Sequence, residues 1–282
     1  MEKKFKMKKI LYLFLLYSTF FYAKSFEYKE EFTNNKSAIK NLKYKDIDRL
    51  VKLAIAYKEG KVVKRDYQKS IKYFLIAADL GSSKALNYLG VIYLNGLGVE
   101  QNYFKARDYF IKAAKKGEVA ALNSLAFIYA NSLGVKESYS KAIFYYKVAA
   151  KKGNAAAMYN LALLIEEGRG IKKNAKLAAK FYKMAAEKKH PLAEANLAIM
   201  YLKGRGVKKD TNMALKLLKS AAKKGNISAL NTLGYMFAVG DGVEANSKIA
   251  YKFWKEALKL GSVSAKKNIN MLCKDNKDIC SH

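Results

Sequence analysis

Alanine, leucine and aromatic residues recur along the chain in steps of three and four, and the whole pattern then repeats every 36 residues. Ala85, Ala121, Ala157, Ala193, Ala229 and Ala265 mark the period without insertion or deletion. In the unit Ala85 to Gly117, the residues Ala85, Leu89, Gly90 and Tyr93 share one helical face, and Ala106, Tyr109, Ala113 and Ala114 share another. Each unit is therefore predicted to be two short helices. Between them Gly96 and Gly98 permit the backbone to reverse. Asp66, Asn102, Ser138, Asn174, Asp210 and Asn246 stand where the second helix should begin, and each can accept a hydrogen bond from a free amide of its first turn. That helix should stop at Gly81, Gly117, Gly153, Gly225 and Gly261; Lys189, followed by His190 and Pro191, is the departure.

A pair of short helices cannot bury both apolar faces alone, but a stack of such pairs can, and a fixed period of this size marks a solenoid. Small residues support that reading. Gly90, Ala126, Ala162, Ala198 and Gly234 in the first helices, with Ala106, Ala142, Ala178, Ala214 and Ala250 in the second, leave room for close helix crossings. Enlarging one of them should cost about 1–3 kcal/mol.

The succession of alanine, Leu-Gly or Leu-Ala, Tyr, Gly-x-Gly-Val, Asp or Asn, Lys-Ala and Ala-Ala-x-x-Gly resembles the Sel-one-like repeat, a relative of the tetratricopeptide repeat. Ala121, Leu125, Tyr129, Gly134, Val135, Lys141, Ala142, Ala149, Ala150 and Gly153 show it again one period later. The resemblance implies an all-α, right-handed superhelical solenoid of about six antiparallel helix pairs, acting as a scaffold for protein interaction. Departures are local: Ser132 replaces the first loop glycine, Val62 the second, Ile165 the tyrosine and Lys189 the terminal glycine. They are expected to weaken single turns.

Four segments follow. Residues 1–25 read as a secretory signal peptide: Lys3, Lys4, Lys6, Lys8 and Lys9 precede an apolar run from Ile10 to Phe21, and small residues around Ala23 and Ser25 suit cleavage. An uncleaved anchor is the alternative, although the run is shorter than the roughly 20 residues that span a bilayer. Residues 26–45 carry no repeat and read as a linker or N-terminal arm, 46–261 as six repeats, and 262–282 as a capping helix and tail. The expected location is periplasmic or secreted, with no stable membrane span after cleavage.

Charge narrows the partners. The chain carries +31, and removal of residues 1–25 takes away six Lys and one Glu to leave +26. Such a surface attracts anions, among them anionic envelope polymers. Export argues against nucleic acid, and no nucleic-acid-binding motif accompanies the charge. A second reading assigns many lysines to structure, since Lys115-Lys116, Lys151-Lys152, Lys188-Lys189 and Lys223-Lys224 lie where cations complement helix C-terminal carbonyls.

Cys273 and Cys280 are seven apart. On one continuous helix that spacing is about 10 Å, beyond the roughly 7 Å reach of a disulfide. They can pair only if the helix ends, and Asp275, Asn276 and Asp278 favour an end near Lys274. An oxidising compartment would then favour a bridge over two free thiols. The disulfides of a cysteine-rich exported branch of the resembled family have no counterpart here, where Ala114 and Leu122 fill the helical positions.

Catalytic signals are weak. His190 and His282 are the two histidines, and neither has partners at metal-ligand spacing, so no metal site and no cofactor are expected. Members of that exported branch are described as β-lactamase-like, which makes an envelope hydrolase of β-lactamase or peptidoglycan-acting type the alternative function. The Ser-x-x-Lys pairs Ser37/Lys40, Ser138/Lys141, Ser220/Lys223 and Ser264/Lys267 are no more than chance gives a lysine-rich chain, and the Ser-Asp-Asn and Lys-Thr-Gly partners are missing.

A protein or peptide partner is expected on the concave side, which first helices line in such arrays. Tyr88, Ser124, Asn160, Asn196 and Thr232 form one level of a stripe there, and Val91, Phe127, Leu163, Ile199 and Tyr235 lie in the next turn. Mixed amide, hydroxyl and apolar groups suit an extended peptide. The competing reading is that the apolar members complete helix packing.

Overall fold

The computed structural model describes residues 44–275, and among them every regular element is an α-helix. The chain divides into two compact units, one ending at Glu137 and the next beginning at Ser138. Unit 1 holds α1 (Tyr44–Glu59), α2 (Tyr67–Asp79), α3 (Ser83–Asn95), α4 (Tyr103–Lys115) and α5 (Val119–Ala130). Unit 2 holds α6 (Tyr139–Lys151), α7 (Ala155–Glu167), α8 (Ala175–Glu187), α9 (Pro191–Lys203), α10 (Thr211–Ala222), α11 (Ile227–Val239), α12 (Ser247–Lys259) and α13 (Val263–Asp275). Within each unit a helix packs chiefly on its neighbours in sequence, the local stacking of an all-α solenoid.

The period is carried by what is buried. Ala85, Leu89 and Ile92 in α3 are fully covered, as are Ala193 and Met200 in α9 and Ala229, Leu233 and Met236 in α11. On the second helices Ala106, Phe110 and Ala113 do the same in α4, and Ala250 and Ala257 flank the 4 % exposed Trp254 in α12. Ring size and helix approach are matched. A Cβ on Gly90 would lie 2.5 Å from the Phe110 ring, and one on Gly234 would lie 2.4 Å from the Trp254 indole.

All six expected caps of the second helices form, with Asp66, Asn102, Ser138, Asn174, Asp210 and Asn246 accepting from the amides of Lys69, Lys105, Lys141, Leu177, Met213 and Ile249. A second set of caps lies one residue after each terminal glycine, or after Lys189 where that residue stands in its place. Ser82, Asn154, His190 and Asn226 accept from the amides of Ala85, Ala157, Ala193 and Ala229, while Glu118 accepts from Ala120. The same residues close the helix before them: the amide of Ser82 donates to Ala77 O and that of Gly81 to Ala78 O, the paired bonds of a Schellman ending. One residue thus ends one helix and starts the next.

Ser132 and Lys189 take the left-handed backbone of the glycines they replace, with φ of 55° and 63°. The second loop glycine has a further reason to lack a side chain. A Cβ on Gly98 would sit 2.3 Å from Tyr67 Cβ, and one on Gly134 2.7 Å from Tyr103 Cβ, so in unit 1 this loop lies against the start of the preceding second helix.

Residues 1–43, which include the signal-like segment, lie outside the described residues, as does Cys280; the expected Cys273–Cys280 bridge therefore lies partly beyond them. Cys273 itself is half-buried on α13.

Candidate partner-binding faces

In unit 1 the first-helix residues Tyr88, Ser124 and Phe127 have different surroundings. Tyr88 stacks on Phe74 of α2 at 4.9 Å between centroids, with Lys58 Nζ 5.2 Å from its ring, and burial raises its phenol pKa above the ordinary value. Ser124 Oγ donates to Ala120 O of its own helix. Phe127 is 42 % exposed.

In unit 2, Asn196 Nδ2 donates to Tyr182 OH at 3.1 Å, and that hydroxyl donates to Glu166 Oε2 at 2.7 Å. Burial, followed by the bond to Glu166, pushes the Tyr182 phenol far above its usual range. Arg205 pairs with the other oxygen of Glu166. Thr232 Oγ1 donates to Ser228 O. Asn160, Leu163 and Ile199 are half-buried, and Tyr235 is 55 % exposed. The first level of the stripe is thus half-buried, with Tyr88 and Asn196 engaging the preceding second helix; at the second level the rings of Phe127 and Tyr235 remain open.

A charged cluster that the sequence did not reveal lies nearby. Glu194 on α9, 2 % exposed, accepts two hydrogen bonds from Lys224 Nζ at 2.7 and 2.8 Å and one from Ser220 Oγ at 2.9 Å. Lys224 Nζ also reaches Lys189 O at 2.9 Å. The lysine that follows α10 therefore fastens the preceding repeat. Lys116 and Lys188 approach the terminal glycines Gly81 and Gly153 in the corresponding way.

The serines of the Ser-x-x-Lys pairs have local partners. Ser138 caps α6, Ser220 serves Glu194, and Ser264 Oγ lies 3.2 Å from Ser262 Oγ; Ser37 is outside the described residues. Among the described residues no group of three or more His, Cys, Asp or Glu side chains could hold a metal ion, and no helix is long and apolar enough to cross a membrane.

Lysine is sorted between the two kinds of helix in unit 2. The first helices α7, α9 and α11 carry one, Lys203, whereas the second helices α6, α8, α10 and α12 carry twelve. The two faces of the stack consequently differ in charge.

The sequence profile described as Sel1 repeat matches residues 50–82, 83–118, 119–154, 155–190, 191–226 and 227–262. A solved Sel1 repeat protein from Oxalobacter formigenes is 30% identical with a TM-score of 0.74, covering 87% of this chain and 99% of its own. A protective antigen present in uropathogenic Escherichia coli strains, displaying an SLR fold, is 26% identical with a TM-score of 0.65 over 86% of this chain. The match covers 51% of that antigen, so the chain spans about half its length. An immunity protein from Pseudomonas aeruginosa, 20% identical over 76% of this chain and 81% of its own with a TM-score of 0.56, shares the fold. Among curated proteins none matches.

Proposed function

The chain belongs to the Sel1 repeat family, whose members are generally protein-interaction scaffolds, and on that premise we propose that it is an exported scaffold whose first-helix faces hold an extended segment of a protein partner. The observation that carries this reading is an open aromatic ring on a first helix of each unit, Phe127 in unit 1 and Tyr235 in unit 2. Each ring offers apolar area at small entropic cost, and Ser124 and Thr232 place hydroxyls one turn earlier. The first helices of unit 2, poor in lysine, suit a partner segment that is neutral or apolar. Export, to the periplasm or the medium, rests on the basic start and apolar run of residues 1–25.

The test uses chain beginning at Phe26 to select binding peptides from a random displayed library. Peptides selected on the parent should lose affinity for Phe127→Ala or Tyr235→Ala while both variants melt as the parent does, since exposed substitutions change stability by about 0.5 kcal/mol or less. Gly234→Leu, driven against Trp254, is the contrasting variant that should lose stability. Peptides that bind both alanine variants as tightly as the parent would remove the first-helix assignment, and an intact Met1 on cytoplasmic protein would remove export.

A further inference from the structure

Three positions on the second helices of unit 2 repeat lysine in register. One row is Lys147, Lys183, Lys219 and Lys255, complete across all four helices. Three residues before it lie Lys180, Lys216 and Lys252, with Phe144 at the equivalent place in α6; four residues after it lie Lys151, Lys223 and Lys259, with Glu187 in α8. Positions spaced i, i+3 and i+7 share one face of a helix at rises of about 4.5 and 10 Å from the first, and they are filled by three lysines at α10 and α12 and by two at α6 and α8. All ten are exposed and none is in an ion pair among the described residues, while Lys255 lies over the Tyr251 ring of its own helix at 5.3 Å. They are distinct from Lys188 and Lys224, which are occupied against the preceding repeat. Glu187 and Glu256 are the acidic residues on the four helices.

We propose that these rows bind a linear, phosphate-bearing polyanion laid across α6, α8, α10 and α12. Register is the argument for a linear ligand: a chain crossing the stack meets an ammonium at the same level of every repeat. Identity of side chain supports phosphate. The rows use lysine throughout, a point charge with rotatable donors that tolerates a flexible, uniformly charged chain, while the arginines of unit 2 lie in loops beside Glu166 and Glu167. On α8, α10 and α12 the first two rows hold six lysines and no apolar side chain that would enter a bilayer. The proposal is independent of the first-helix reading, since it concerns the other kind of helix.

The test is calorimetric titration of the full chain with long-chain inorganic polyphosphate. One variant removes the complete row, Lys147→Gln with Lys183→Gln, Lys219→Gln and Lys255→Gln. A second removes the same charge from loops, Lys172→Gln with Lys173→Gln, Lys208→Gln and Lys209→Gln. The row variant should bind about tenfold or more weakly, and its slope of log affinity against log salt should shrink by about 3, near 0.7 for each lost phosphate contact. The loop variant should change far less. Equal weakening in the two variants would show diffuse attraction and overturn the proposal. So would vesicles of anionic phospholipid, or poly-glutamate, that bind as tightly as polyphosphate with the same dependence on the row.

Discussion

Units 1 and 2 share a backbone period but are fastened by different side-chain chemistry. In unit 1 aromatic rings meet: Tyr57 on Tyr73 at 5.9 Å, Phe74 on Tyr88 at 4.9 Å, and Tyr93 on Tyr109 at 5.6 Å. Its lysines lie over rings, Lys69 at Tyr57, Lys105 at Tyr93 and Lys112 at Tyr109, which engages their charge within the fold. Unit 2 keeps some ring contacts, such as Phe237 on Phe253 and Lys255 over Tyr251, but adds the ionic fastenings Glu194–Lys224 and Glu166–Arg205. The contrast reaches the outer surface. Where unit 2 sets lysine rows, unit 1 has Leu75, Ile111, Asp79 and Asp108 at four of the six equivalent positions and lysine at the other two, Lys72 and Lys115, beside the 60 % exposed Phe104. A repeat therefore constrains its small residues and caps, and leaves its means of adhesion and its outward chemistry open to change.

The most severe test of that contrast is Lys224→Ala. It leaves the 2 % exposed Glu194 without its ammonium, and stranding the buried member of an ion pair costs about 3 kcal/mol or more. Amide exchange should quicken across α9–α11 while α3 and α4 keep their protection; equal loosening of both units would erase the distinction. A smaller effect, of opposite sign, should be the same in the two units. Ser132→Gly and Lys189→Gly each relieve a left-handed backbone held by an L side chain, and each should raise stability in urea by about 1 kcal/mol. Unequal gains would mean that the surrounding adhesion controls even the turns.

Smallest is a pH effect confined to unit 2. Burial is the main force holding the His190 imidazole below its ordinary pKa of 6.5; Glu194 opposes it and Lys224 reinforces it, while Tyr159 stacks on the ring at 4.9 Å. The fold thus favours neutral histidine. Its contribution is complete above about 6.5 and is lost as pH falls below that value, where the unfolded chain takes up a proton that the folded chain resists. His190→Asn keeps a capping side chain, as Asn154 and Asn226 do in the neighbouring repeats. The parent should lose more of its urea midpoint than this variant between about pH 7.5 and pH 5.5. Identical losses would show that His190 does not contribute.

Features that depend on neighbours a few residues apart were legible in the sequence, and those that depend on the next repeat were not. The second-helix caps were readable because Asp, Asn and Ser recur at one position. The first-helix caps escaped because Ser82, Glu118, Asn154, His190 and Asn226 look unrelated; the available signal was their constant place after the turn residue. Gly98 could be read as a turn former, yet its contact with Tyr67 lies 31 residues back. Glu194, Ser220 and Lys224 are likewise 26 and 30 residues apart and become a cluster only after stacking. The stripe was recognisable as a surface of the first helices, but its division into half-buried Tyr88 and Asn196 and open Phe127 and Tyr235 depends on the preceding second helix.

The joint between repeats makes the array divisible only in whole units. Because the residue after each terminal turn closes one helix with its amide and opens the next with its side chain, gaining or losing a single residue there breaks both ends together. Excision of a full period from Ser82 to Gly117 would instead bring Gly81 before Glu118, with a donor and an acceptor again in their places. Gly134 would then face Tyr67 as Gly98 does now. Changes in the length of such a chain should accordingly come in multiples of 36 residues, by duplication or deletion of entire modules, while substitutions on the outer helices proceed residue by residue.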